Sequence, residues 1–228
     1  MKIICFLILI FTHQLVSSKS NDSPNLDFKK VQSQSWNEWK KDLKKTLKKE
    51  NFSDSTLDLL DEINFNPKVI EYDRKQPEFK LTFEKYLQRN INEQKKKDIN
   101  KIYKQNKELL LLLNKKFKVD PRILVSLWGI ETYFGKHIGK LDILRSLLSL
   151  AYDGRRQEFF LKEFKLALKI LEDGHVSQKD FRGSWAGAFG QTQFMPSTFH
   201  KFAIDFDNDS KINLFKKTDA LASGANYL

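Results

Sequence analysis

Apolar residues recur at helical spacing through most of the chain. An amphipathic helix is predicted from Trp36, where apolar residues are three or four positions apart: Trp36, Trp39, Leu43 and Leu47. The same criterion predicts further helices over 53–64, 79–117 (as one helix or two), 121–134, 141–151, 155–172 and 219–228. The segment VIEYDRKQPEF is predicted to be irregular, since Pro77 disfavours a helical conformation at Gln76. Glycine and proline are sparse, so we expect a mainly α fold with little or no β structure.

The first predicted helix also carries lysines at steps of three and four: Lys40, Lys41, Lys44, Lys45, Lys48 and Lys49. We expect them to form one solvated face. The whole chain has a formal net charge of +11 at pH 7, which suits contact with an anionic polymer such as a cell-wall strand. Simple solubility is the alternative explanation of this charge.

The chain begins with MKIICFLILIFTHQLVSSKS. Lys2 gives a short positive region, residues 3–11 form an apolar stretch too short for a comfortable membrane span, and small residues follow at Val-Ser-Ser. We therefore predict a signal peptide at 1–18 and a polar leader at 19–34, with an uncleaved N-terminal anchor as the alternative. The only cysteine, Cys5, falls within the signal, so the mature chain is predicted to have no disulfide and no stable membrane span.

One carboxylate lies on an apolar helix face. The helix over 121–134 is predicted to begin with Asp120 as its N-cap and to stop at Gly135. Four of its residues share one stripe: Leu124, Leu127, Glu131 and Phe134. Burial and the negative end of the helix dipole both raise the pKa of a carboxyl placed like Glu131, which suits a general acid. The alternative is that Glu131 tilts to the rim and pairs with a lysine.

The segment GSWAGAFGQTQFMPS is rich in small residues, which let a sugar approach the backbone. Ser184, Gln191 and Gln193 add hydrogen-bonding groups beside aromatic side chains. Taken alone, the pattern fits tight helix packing and a turn at least as well as a sugar-binding surface.

The acidic loop DFDNDSKINLFKKTD begins with the D-x-D-x-D pattern of a calcium loop, at Asp205, Asp207 and Asp209. A standard EF-hand then requires glycine at position 6 and glutamate at position 12, where this chain has Ser210 and Lys216. The standard pattern therefore fails, and a solvated acidic loop is the alternative.

Three ordered motifs carry a family resemblance: WGIETYFGKHIGK, LAYDGRRQEFF and RGSWAGAFGQTQFMPSTF. Together with VIEYDRKQPEF, they resemble the lytic murein transglycosylases of the membrane-bound B type, from Trp36 to Leu228. The resemblance implies a lysozyme-like helical domain over 35–228. It also implies cleavage of the MurNAc–GlcNAc β-1,4 bond of peptidoglycan, with formation of a 1,6-anhydro-MurNAc end.

The resemblance assigns roles to individual residues. Glu131 matches the family's single catalytic residue, which acts first as acid and then as base. Cleft residues of the family match Ser184, Gln193 and Tyr227, and a basic pair near the substrate's carboxylates matches Arg155 and Arg156. The family's variant cation loop implies structural calcium held by Asp205, Asp207, Asp209, the backbone carbonyl of Lys211, and Asp219. The resemblance implies no cofactor for the chemistry itself.

These features lead us to expect a monomeric, exported enzyme in the periplasm of a Gram-negative-type bacterium, with peptidoglycan glycan strands as its partner. Nucleic acid is disfavoured by the predicted export. A hydrolytic lysozyme-like muramidase and a non-catalytic peptidoglycan-binding module are the alternatives. Family members usually continue well past the ANYL motif, so we expect this chain to lack the family's C-terminal segment.

Overall fold

The structure is a computed structural model that describes residues 34–75, 82, 84–85 and 91–228. The predicted signal peptide, residues 19–33 of the polar leader and Pro77 lie outside these residues. The described elements are α1 Trp36–Lys49, α2 Asp54–Glu62, α3 Pro67–Arg74, α4 Glu93–Gln105, α5 Lys107–Phe117, α6 Pro121–Thr132, β1 Leu141–Asp142, α7 Ile143–Asp153, α8 Gln157–Glu172, β2 Arg182–Gly183, α9 Pro196–Phe202 and α10 Lys217–Tyr227. The antiparallel pair β1–β2 is the whole described sheet, so the mainly α prediction is confirmed.

Most helix boundaries follow local capping chemistry. A capping box between Ser35 and Glu38 begins α1, and the Ser53 side chain caps α2. The predicted long helical region over 79–117 is divided, in its described part, into α4 and α5 at Asn106. The side-chain amide of Asn106 donates to the carbonyl of Ile102, which ends α4, and its oxygen accepts a hydrogen bond from Lys217.

The prediction of an irregular VIEYDRKQPEF is wrong over residues 69–74, which are part of α3. Pro67 occupies the first turn of this helix, and the Asn66 side chain accepts a hydrogen bond from the backbone N–H of Lys68. Proline at the first helical position and an Asn cap together favour the start of a helix, and this helix continues to Arg74.

The predicted solvated lysine face on α1 is wrong at Lys40. This side chain is buried, and its ammonium donates to the carbonyls of Leu60 and Ile63 at 2.9 and 2.8 Å. Burial lowers the pKa of Lys40. The lysine therefore adds a donor to two carbonyls at the C-terminal end of α2, and it fixes α1 on α2.

Two apolar clusters form the interior of the described residues. The larger cluster joins α1, α2, α7, α8 and α9, with Trp39, Phe164 and Phe189 among its fully buried side chains. The smaller cluster joins α5, α6 and α10 around Leu110, Leu124 and Trp128. Within the described ranges, no helix is both long and apolar enough to cross a membrane.

Candidate active site

Helix α6 ends abruptly two residues before its predicted end. Tyr133, Phe134 and Gly135 have φ values of 50°, 62° and 82°, so three consecutive residues turn the chain back in the left-handed region. The ring of Phe134 packs edge-on against Trp128 at 5.5 Å. A Cβ on Gly129 would lie 2.9 Å from the Phe134 ring, so the absent side chain makes room for this turn. Phe134 therefore does not extend the helical stripe, as the sequence pattern predicted, but folds back over α6.

Glu131 is buried in the last turn of α6 and is 3% exposed. Its Oε1 has no hydrogen-bond partner among the residues that the structure describes, and no ion pair of those residues involves it. Burial raises the pKa of Glu131 from 4.5 to about 7. The prediction of a raised pKa is confirmed, and the alternative of a rim carboxylate paired with lysine is wrong.

A cleft of about 240 Å³ opens beside Glu131. One wall is the end of α6, and the other is the start of α4; the described lining consists of Asn92, Gln94, Lys95, Gly129, Ile130, Glu131, Thr132, Tyr133 and His137. Tyr133 joins the two walls, because its hydroxyl donates to the Asp98 carboxylate on α4. Glu131 is the only carboxylic acid in this described lining. A carboxyl of this lining that gives a proton to a ligand in the cleft is therefore Glu131.

Gln191 holds α6 in place. Its Oε1 accepts a hydrogen bond from Nε1 of Trp128 at 3.0 Å, and its backbone carbonyl accepts one from the Thr132 hydroxyl at 2.7 Å. Its Nε2 donates to the carbonyl of Phe215 at 2.7 Å. The sequence pattern identified Gln191 only as a hydrogen-bonding group for sugar, whereas the structure uses both polar atoms of its side chain inside the protein.

Ser184 and Gln193 are both buried. The Ser184 hydroxyl accepts a hydrogen bond from the backbone N–H of Ala188 at 2.9 Å. The Gln193 amide donates to the carbonyls of Ile138 and Gly190, each at 2.9 Å. Through Ile138, Gln193 supports the segment that follows α6.

Tyr227 and the two arginines, Arg155 and Arg156, are outside the described lining of the Glu131 cleft. The Tyr227 ring packs against Phe202 and Phe194 at 5.0 and 5.8 Å. Arg155 and Arg156 both pair with the buried carboxylate of Asp73, which joins the start of α8 to α3. In the described part of the chain, none of the five residues predicted to bind substrate lines the Glu131 cleft, and their contact with substrate stays a prediction.

The acidic loop brings three of its predicted ligands together. Carboxylate oxygens of Asp205, Asp207 and Asp209 lie within 4.8 Å of one another. Asp219 is not in this group: it is fully buried, and its two oxygens accept hydrogen bonds from the backbone N–H groups of Phe206 and Asn213. The backbone N–H of Lys211 donates to Asp209.

A second buried carboxyl, Glu163, was not identified in the sequence analysis. Glu163 on α8 is 2% exposed, and burial raises its pKa. Its Oε2 accepts a 2.9 Å hydrogen bond from the backbone N–H of Ser197, in the first turn of α9. The signal was present in the apolar run FFLKEFKLAL, where Glu163 shares a face with Phe160 and Ala167. Glu163 differs from Glu131 in having this partner.

Known proteins resemble the chain in sequence and in fold. Over 112 residues, 49% of this chain and 31% of the relative, it is 40% identical to the membrane-bound lytic murein transglycosylase B of Escherichia coli (strain K12). SltB3 from Pseudomonas aeruginosa, solved in complex with NAG-NAM-pentapeptide, matches with a TM-score of 0.81 and 37% identity over 85% of this chain and 52% of that chain. The Escherichia coli lytic transglycosylase Slt35 in complex with calcium matches with a TM-score of 0.71 and 26% identity, over 95% of this chain and 66% of that chain.

The chain thus spans about a third of the curated relative and about half of the Pseudomonas aeruginosa structure. These similarities confirm the family resemblance and the lysozyme-like helical fold class that the motifs predicted. The family model described as Transglycosylase SLT domain matches residues 35–228, which include every described element. The chain therefore belongs to the Transglycosylase SLT domain family.

Proposed function

We propose that this protein is a lytic transglycosylase that cleaves the MurNAc–GlcNAc β-1,4 bond of peptidoglycan, with Glu131 as its acid and base. The observation that carries the proposal is the buried Glu131 carboxyl, which has a pKa of about 7 and lines a cleft in a chain of this family. A carboxyl that is protonated near neutral pH is able to give its proton to a leaving oxygen.

The reaction needs one carboxyl. Protonated Glu131 gives its proton to the glycosidic oxygen while the bond from that oxygen to C1 of MurNAc breaks. The resulting carboxylate then takes the proton of the MurNAc C6 hydroxyl while O6 bonds to C1 and closes the 1,6-anhydro ring. Glu131 ends protonated and no water is consumed. The second carboxylate of an ordinary glycosidase is not required, in keeping with the single acid of the described cleft lining.

The test is a digestion of purified murein, followed by mass spectrometry of the released fragments. Anhydro-MurNAc ends from the wild-type protein, and their loss in Glu131→Gln, are the expected results. Glu163→Gln is the matched control, since it changes an equally buried glutamate outside the described cleft lining and should keep the activity. Fragments with reducing ends, one water heavier, would instead identify a hydrolytic muramidase. Murein binding without any fragments would identify a non-catalytic module.

We also propose that the protein is exported to the periplasm and acts there as a monomer on glycan strands. The apolar N-terminal stretch and the net charge of +11 support this location and this partner. Cell fractionation with a C-terminal tag tests the location, and protein retained in the cytoplasm would contradict it. Sedimentation of the purified protein tests the oligomeric state.

A further inference from the structure

The acidic loop over 205–219 contains a positive side chain where a standard EF-hand has a ligand. Counted from Asp205, Lys216 is at position 12, which is a bidentate glutamate in an EF-hand. The Lys216 ammonium pairs with the carboxylates of Asp207, at 3.3 Å, and of Asp209. It therefore lies against the group of carboxylates that a metal ion would need as ligands.

Asp205 and Asp209 also accept hydrogen bonds from the backbone of the loop. Asp205 accepts hydrogen bonds from the backbone N–H groups of Asp209 and Ser210, at 3.2 and 2.8 Å. The second oxygen of Asp209 accepts one from the N–H of Lys211 at 3.0 Å. Calcium requires six to eight oxygen ligands. The arrangement of these residues does not fit that ion, because the Lys216 ammonium lies where a cation would contact Asp207 and Asp209, and because Asp219 is not among the clustered carboxylates.

We propose that Lys216 is the built-in cation of this loop, so that the loop folds without calcium. The three clustered carboxylates repel one another, and a positive charge among them is needed to hold them together. Lys216 provides that charge from within the chain.

The loop in turn supports α6. The residue before Lys216 is Phe215, whose carbonyl accepts the hydrogen bond from Nε2 of Gln191. The carbonyl of Leu214 accepts another from the backbone N–H of Gln191 at 2.8 Å. Since Gln191 holds Trp128, the charge of Lys216 contributes to the position of the helix that carries Glu131. This inference concerns folding and metal binding, and it holds whatever reaction the cleft performs.

The experiment compares the full-length wild-type protein with Lys216→Met and Lys216→Glu, each in calcium chloride and in EDTA. Hydrogen–deuterium exchange over 205–219 and the thermal midpoint are measured. Wild type should give the same values in both buffers. Lys216→Met should exchange about threefold faster in this loop in both buffers, because it loses the charge without gaining a ligand. Lys216→Glu should exchange faster in EDTA and recover in calcium, because it restores the ligand that EF-hands have at position 12.

Lys41→Glu is the control for a lysine-to-glutamate change on an exposed helix position, and calcium should not affect it. Protection of the wild-type loop by calcium, reversed by EDTA, would overturn the proposal. So would unchanged exchange in Lys216→Met, since the ammonium would then contribute nothing. A Lys216→Glu loop that calcium fails to protect would also count against it, because the loop would then have no position for a cation.

Discussion

Nε1 of Trp128 donates a 3.0 Å hydrogen bond to Oε1 of Gln191, 63 residues further along the chain. Trp128 lies three residues before Glu131, on the same helix. The other end of the Gln191 amide donates to Phe215 in the acidic loop. One side chain therefore links the helix that carries the candidate acid to the loop, and both of its hydrogen bonds cross between elements that are distant in sequence.

We expect Gln191→Ala to lower the free energy of unfolding by about 2 kcal/mol, because it leaves the Trp128 N–H and the Phe215 carbonyl without partners. The rate constant kcat should fall more than KM changes, since the variant disturbs the position of Glu131. Chemical denaturation and murein digestion measure the two effects. Gln178→Ala is the control, because the Gln178 side chain makes only an exposed 3.4 Å hydrogen bond with Glu62.

Gln191→Glu separates the two bonds. A carboxylate still accepts from Trp128, but it has no hydrogen to donate to Phe215 and is repelled by that carbonyl. We expect this variant to be at least as unstable as Gln191→Ala. Stability close to that of wild type would show that the bond to Phe215 contributes nothing.

The sequence predicted the elements around Glu131 better than the connections between them. Asp120, Pro121 and the apolar spacing determine where α6 begins and which face it buries, and these signals are local. The end of α6 depends on the Phe134 ring, which occupies the space above Gly129. That contact, like the hydrogen bonds of Gln191, exists only in the folded chain, so periodicity could not predict it.

Glu131→Gln should make the protein more stable at alkaline pH. The raised pKa means that the folded state holds the proton more tightly than the unfolded state, whose carboxyl has a pKa near 4.5. Stability from this group is complete below pH 4.5, is lost as pH rises to about 7, and stays constant above that. The loss is at most about 3 kcal/mol. Glutamine carries no such cost, so in denaturant titrations the variant and wild type should match below pH 4.5, diverge between pH 4.5 and about 7, and differ by a constant amount above that.

The activity should depend on pH through the same carboxyl. As acid in the first step, Glu131 must be protonated in the free enzyme, so kcat/KM should fall as pH rises through about 7. Initial rates on soluble glycan fragments measure the profile. A descending limb with its midpoint near pH 4.5, the ordinary value for glutamate, would mean that the carboxyl is not desolvated in the working enzyme.

Gly129→Ala should destabilise the protein although alanine is the better helix former. The added Cβ would meet the Phe134 ring at 2.9 Å, and such overpacking costs about 1–3 kcal/mol, more than the ~1 kcal/mol gained in helix propensity. Thermal unfolding measures the change. The double variant Gly129→Ala/Phe134→Leu removes the ring that the added Cβ would contact, so it should recover part of the lost stability. No recovery would place the strain somewhere other than at Phe134.

The buried polar groups show a second limit of sequence interpretation. Lysines at helical spacing indicate a solvated face, yet Lys40 is directed inwards because two carbonyls at the end of α2 accept hydrogen bonds from its ammonium. Glu163 is buried for the complementary reason, since the start of α9 offers an N–H. Each charge is compensated by the end of a helix distant in sequence, and the spacing of charged residues contains no information about that partner.

The arginine pair offers a test that separates structural support from substrate binding. Arg156 is mostly buried, pairs with the buried Asp73 and lies over the Phe160 ring at 4.8 Å, whereas the side chain of Arg155 is 50% exposed. Arg156→Gln should therefore lower the free energy of unfolding by about 1–3 kcal/mol, because it breaks a pair at a buried carboxylate. Arg155→Gln should cost less stability and, if this side chain binds the substrate's carboxylates, should raise KM with kcat unchanged. Denaturation and digestion kinetics of both variants measure these effects, with Asp58→Asn as the control that breaks an exposed ion pair. An unchanged KM in Arg155→Gln would restrict Arg155 to joining α8 to α3.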